Sequence, residues 1–107
     1  MLLRDALEDD LDVICELIGE LAEYENLAQE LTYDRDRMRE ELFGAAPAAH
    51  VTLAITDDGA VAGMALWFRT FSTFLGRAGI WLEDLFIRPP YRRQGLASAL
   101  IGHLRTL

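Results

Sequence analysis

Arg92-Arg93-Gln94-Gly95 stands directly before an apolar run, in a chain whose 18 acidic residues outnumber its 10 basic ones. Leu96, Ala97, Leu100, Ile101 and Leu104 recur at helical spacing, so a helix opens at Gly95. The first turn of a helix carries N–H groups with no intrahelical acceptor, and its dipole end is positive. A glycine there lets a ligand approach the main chain without meeting a Cβ. With Arg92 and Arg93 alongside, the turn has the chemistry of a polyphosphate cradle. A left-handed turn with two solvated arginines accounts for the same residues equally well. No Gly-Lys-Ser/Thr follows, which excludes a Walker loop, and the GxGxxG dinucleotide pattern is absent.

Upstream, Glu83 and Asp84 interrupt the apolar, strand-like run "AGIWLEDLFI". Neighbours on a regular strand point to opposite faces, and a central strand cannot easily send both to water. Burying a carboxylate without partners is costly, so the pair is either structural and hydrogen-bonded or functional. His50 and His103 lie far apart with no ligand spacing around them, and neither is assigned to a metal.

These residues need elements to position them. Leu2 to Arg4 fits a short first strand. Leu11, Ile14, Cys15, Ile18, Leu21 and Ala22 form the apolar stripe of an amphipathic helix, preceded by Glu8, Asp9 and Asp10 where a helix N-terminus favours negative charge. Cys15 is expected to be buried and inert on that stripe. A second helix is predicted over Asp34 to Phe43, packed through Met38 and Leu42. From His50 the period changes: "HVTLAIT", a turn at Asp57 to Gly59, and "AVAGMALWFRTF" make an antiparallel hairpin. "AGIWLEDLFI" adds a third strand to it, and the final helix follows. The order is β-α-α-β-β-β-α. Trp67, Phe68, Phe71, Phe74 and Trp81 are expected in the core or at a subunit interface.

Composition narrows the function. The net charge of −8 disfavours nucleic acid as a partner and suits small cationic ligands. No run has the length of a membrane span, so no membrane partner is expected. The single cysteine cannot form an internal disulfide, and the N-terminus runs straight into acidic residues. A soluble, cytoplasmic single domain over residues 1–107 is predicted.

Arg92-Arg93-Gln94-Gly95-Leu96-Ala97 resembles the (Arg/Gln)-x-x-Gly-x-(Gly/Ala) signature of the GNAT superfamily of N-acetyltransferases, which bind the acetyl-CoA pyrophosphate there. "WLEDLFIRPPYRRQGLASAL" and "LAEYEN" are similar to its diamine acetyltransferase branch, the spermidine/spermine and thialysine group. The resemblance implies an α/β fold, a mixed, mainly antiparallel sheet with flanking helices. It implies acetyl transfer from acetyl-CoA, as cosubstrate and without a metal, to a primary amine of a small cationic substrate such as a polyamine. The main chain of Leu85, Phe86 and Ile87 would bond the pantetheine arm. Arg93, Gln94, Gly95, Leu96, Ala97 and Ser98 would wrap the pyrophosphate, and Arg92 fills the first motif position. Tyr24 and Glu25 match the substrate-contacting pair. Glu83 matches the strand carboxylate, which would bind the ammonium and, through a water, help remove the proton from the attacking amine. Asp84 is then expected to be structural.

The resemblance also implies a further strand, a helix and a terminal strand pair beyond Leu107, with a general-acid tyrosine among them that Tyr91 does not match. The chain is accordingly expected to be C-terminally incomplete and inactive alone. An open strand edge and the dimeric state of the resembling enzymes predict a homodimer. The alternatives are a non-catalytic acyl-CoA-binding or assembly module, and a protein-amine acetyltransferase with an open peptide groove.

Overall fold

A computed structural model describes all 107 residues, Met1–Leu107. Strand β1 (Leu2–Asp5) leads through a 3-10 turn at Glu8–Asp10 into helix α1 (Leu11–Tyr24). Helix α2 (Arg35–Phe43) follows, then β2 (His50–Ile55), β3 (Val61–Ser72), β4 (Arg77–Ile87) and helix α3 (Leu96–Leu104). The sheet order is β1-β2-β3-β4, and every neighbouring pair is antiparallel. The expected α/β class and element order are present, with β4 paired on one side only.

Each element follows from local chemistry. In α1 the buried positions are Leu11, Ile14, Leu17 and Ala22. Cys15 is half-buried rather than buried, because the stripe centres on Ile14 and Leu17, one turn apart. It sits near Tyr33, whose hydroxyl is pushed up to about 12 by burial first and by the neighbouring Cys15 thiol. Helix α2 is mostly polar and depends on its ends: the Asp34 side chain accepts from the Arg37 N–H at 3.0 Å, and Leu42 anchors the buried side.

The sheet separates two apolar layers. Ile14, Leu17, Leu42, Leu53, Met64 and Phe86 fill the space under α1 and α2. On the other face Ala54, Ala62 and Ala65 present almost no side chain, so Leu96, Leu100 and Leu104 of α3 pack close to the strands beside Trp67. Trp67 Nε1 donates to the buried Thr52 hydroxyl at 3.1 Å, which satisfies both groups. Toward its tip the β3–β4 hairpin outruns both layers, and Phe71, Phe74 and Leu75 stand exposed there.

Two irregularities aim β4. A bulge shifts the register from Leu66 opposite Asp84 to Trp67 opposite Leu82, leaving Glu83 as the extra residue. Closer to the cleft, Gly63 allows β4 to press against β3: a Cβ there would lie 2.4 Å from the Phe86 carbonyl oxygen. Gly63→Ala should therefore destabilise by about 1–3 kcal/mol, the usual cost of overpacking. A Cβ at Gly102 meets nothing within 4 Å, so Gly102→Ala should stabilise α3 by about 0.5–1 kcal/mol. Urea denaturation of both variants checks the pair, and an unaffected Gly63→Ala would show that β3 and β4 have room to separate.

Candidate functional site

The end of β4, the turn after it and the start of α3 face the C-terminal end of α1 across a cleft of ≈ 480 Å³. Leu21 and Tyr24 form the α1 wall, and Leu85, Phe86 and Ile87 form the strand wall. Tyr91, Arg92, Arg93, Gly95, Leu96, Ala97 and Ser98 form the floor.

The turn owes its shape to two left-handed residues. After the 3-10 turn at Pro89–Tyr91, Arg93 has φ 64° and Gly95, the N-cap of α3, has φ 80°. Glycine adopts that conformation freely, whereas arginine does so at a cost of roughly 1 kcal/mol. The first bond of α3 runs from the Ala99 N–H to the Gly95 carbonyl at 3.0 Å, and no side chain caps the helix. The N–H groups of Leu96, Ala97 and Ser98 are thus without helical acceptors at the cleft floor.

The three arginines of this segment have three different tasks. Arg88 is a clamp between α1 and β4. Its guanidinium donates to Glu20 at 2.9–3.2 Å, to Glu16 at 3.2 Å and to the Val61 carbonyl at 3.1 Å, and these carboxylates hold it firmly charged. Arg92 is a strut. Its Nε donates to the Ile87 carbonyl at 2.8 Å, and its guanidinium lies 4.7 Å from the Tyr24 ring centroid and 5.6 Å from that of Phe86. Tyr24 meets Phe86 edge-on at 6.5 Å, which completes the stack. Arg93 is exposed on the cleft floor and takes part in no hydrogen bond or ion pair. It alone keeps its whole charge for an anion.

The acids differ from expectation. The bulge breaks the alternation that would have sent Glu83 and Asp84 to opposite faces. Asp84 aligns with Leu66 on the α1 face, and Glu83 accepts from Trp81 Nε1 at 3.2 Å. Glu83 is exposed, since β4 is an edge strand rather than a central one. Asp84 is half-buried, and burial pushes its carboxyl above the usual range, with the charges of Glu83 and Glu25 adding to the rise. No cation offsets this. The structural role expected for Asp84 is therefore replaced by that of an unpaired acid at the cleft's edge.

Most of the predicted residues thus meet: Tyr24, Leu85, Phe86, Ile87, Arg92, Arg93, Gly95, Leu96, Ala97 and Ser98 share one cleft, with Glu25 and Glu83 electrostatically coupled to Asp84 beside it. Gln94 does not join them. It faces a separate hollow with Met1, Ile55 and Asp57, because the left-handed residues on either side of it turn it outward. Sequence reasoning missed Leu21 and Tyr91 as lining residues and Arg88 as the clamp. The one signal for Arg88 was the Glu16–Glu20 pair, spaced to share a helix face.

Residues 12–107 match the Acetyltransferase (GNAT) family. The chain belongs to that family. It is 36% identical over 108 residues to thialysine N-epsilon-acetyltransferase of Bos taurus, an alignment covering 94% of this chain and 63% of the bovine protein. The chain therefore spans less than two thirds of that relative's length. A crystal structure of a probable acetyltransferase superimposes with a TM-score of 0.83 at 22% identity, covering 99% of this chain and 70% of the other. Ribosomal-protein-alanine N-acetyltransferase from Brucella melitensis biovar Abortus 2308 gives 0.78 at 19% identity, with coverage of 99% and 70%. At such identities these two structures report a shared fold.

The raised Asp84 carboxyl has a consequence for stability. An acid whose folded pKa exceeds its unfolded one holds more protons when folded, so stability falls as pH rises between the two values and stays reduced above them. Asp84→Asn should melt at a higher temperature than the parent at about pH 7, and the gain should vanish near pH 3, where both forms of Asp84 are protonated. Calorimetric melts across this range check it. An equal gain at every pH would mean that the carboxyl is unperturbed.

Proposed function

We propose that this chain carries the acyl-CoA cradle and part of the amine site of an N-acetyltransferase acting on a primary amine of a small cationic substrate. One observation carries the proposal: an uncapped α3 N-terminus and the unpaired Arg93 face the same cleft as the open edge of β4. Acetyl-CoA fits these groups, and when bound it supplies an activated acyl thioester. The pyrophosphate is read by the N–H groups of Leu96, Ala97 and Ser98 and by Arg93, in the manner of anion sites at helix N-termini. The pantetheine arm falls to Leu85 and Ile87. The Ile87 carbonyl faces away from β3, since it accepts from Arg92, and the antiparallel alternation turns Leu85 the same way and Phe86 toward β3.

The amine side rests on Glu25, Glu83 and Asp84. Glu25 and Glu83 lie close enough to Asp84 for their charges to raise its carboxyl, and such a gathering of acids attracts an ammonium. Before it can act as a nucleophile that group must lose a proton, and the carboxylates are the acceptors at hand, directly or through water. Tyr24, held by Arg92, closes the end of the cleft between the two sites. The unpaired edge of β4 toward the hairpin, away from Leu85 and Ile87, is where we infer that a homodimer forms, and the lone half-buried Cys15 suits a cytoplasmic setting. A non-catalytic acyl-CoA module would need the same cradle but not the acid cluster.

Isothermal titration with CoA tests the cradle. Arg93→Ala removes a charge-assisted contact worth about 1.5–3 kcal/mol, so affinity should fall about ten- to a hundredfold with little change in melting temperature. Gly95→Val should weaken binding further, by placing a branched Cβ among the amides. Unchanged affinity in both variants would make the turn purely structural and overturn the reading.

A further inference from the structure

The binding face of β4 continues beyond the acids. Toward the hairpin tip stands Trp81, 55% exposed, its indole stacked on Phe68 with centroids 6.5 Å apart and planes 28° apart. The register places Trp81 opposite Phe68 and Asp84 opposite Leu66, on the α1 side of the ribbon. Trp81 is tied to the acids directly, because its N–H donates to Glu83. At ~3.3 Å per residue it lies no more than about 10 Å from Asp84. A flat aromatic surface therefore borders the ammonium site at the distance of a short organic chain.

From this juxtaposition we infer that the amine site takes a monoammonium substrate with an aromatic or bulky apolar tail, the tail resting on Trp81 and Phe68. The inference rests on the reading of the acids as an ammonium site. The competing occupant of an exposed indole is a second ammonium, held by cation–π attraction. Charge along the hairpin decides against it. Between Val61 and Leu82 the only charged side chains are Arg69 and Arg77, both cationic. Although Arg69 lies on the opposite face, over Trp67, the register sets it opposite Ile80 and Arg77 lies two residues from Gly79, so both charges fall within about a Debye length of the β4 segment just past Trp81. A polycation extended past Trp81 meets repulsion, whereas an aryl ring gains burial against the indole.

Trp81 and Trp67 are the two tryptophans, and Trp67 is buried, so a ligand-induced change in emission that disappears in Trp81→Ala reports on Trp81. The full chain, saturated with CoA, is titrated with phenethylamine and with putrescine, and calorimetry follows the same pairs. Phenethylamine should bind at least about tenfold tighter and change the tryptophan emission. In Trp81→Ala that preference should shrink to about threefold or less while putrescine affinity stays within about twofold, and Trp81→Phe should retain it. Asp84→Asn should weaken both amines. Equal or tighter binding of putrescine by the parent overturns the inference, as does an equal loss of both amines in Trp81→Ala. If Trp81→Ala turns a dimer into a monomer by light scattering and leaves the preference intact, the aromatic pair is an interface and the inference is wrong. Amines that bind with no dependence on Trp81 leave the acid site standing without it. Binding of neither amine removes the acid site and the inference together.

Discussion

Arg88 fastens the two walls of the cleft. Helix α1 and the end of β4 are separated by most of the chain, and the Arg88 pairs with Glu20 and Glu16 close over 68 and 72 residues. A half-exposed ion pair adds little to folding stability, so its effect is chiefly one of position. The fork of the guanidinium fixes direction as well as distance, and its third contact, to Val61, ties the same point to the start of β3. Arg92 repeats the arrangement one turn on, bonded to Ile87 and stacked on Tyr24. With both cations engaged in holding the walls, the floor keeps a single free charge, Arg93.

That division explains why an acidic chain concentrates arginine where a helix begins. The left-handed residues Arg93 and Gly95 bring the first amides of α3 to the cleft, and the absence of a capping side chain leaves them available. Backbone strain of the kind stored at Arg93 clusters at functional sites. Across the cleft, the bulge at Glu83 gathers two carboxylates on one side of the strand instead of dividing them. The carboxylates and the uncapped start of α3 thereby sit at opposite ends of one short strand segment, Glu83 to Ile87.

Much of this was legible in the sequence. Periodicity located α1, the β2–β3 hairpin and α3, because each buries one face and leaves the other wet. Glycine and arginine before an apolar helix located the turn that opens α3. Three features were not legible, each for a physical reason. The bulge depends on how β3 and β4 settle against each other, so regular alternation divided Glu83 from Asp84, which the bulge brings to one side. The engagement of Arg92 depends on Tyr24, which only the packing of α1 brings near. Cys15 shares helical spacing with buried neighbours, yet rotation of α1 puts Leu17 in the core and Cys15 at its margin.

The central claim is that the α3 amides and Arg93 form the anion site. Amide chemical-shift mapping of the isotope-labelled chain during titration with CoA tests it most directly. The largest perturbations should fall on Gly95, Leu96, Ala97 and Ser98, with smaller ones on Leu85 and Ile87. A second hollow, bounded by Arg69, Arg77 and Arg105, offers more positive charge but no uncapped helix start. Perturbations concentrated there, with Gly95 to Ser98 unmoved, would contradict the account.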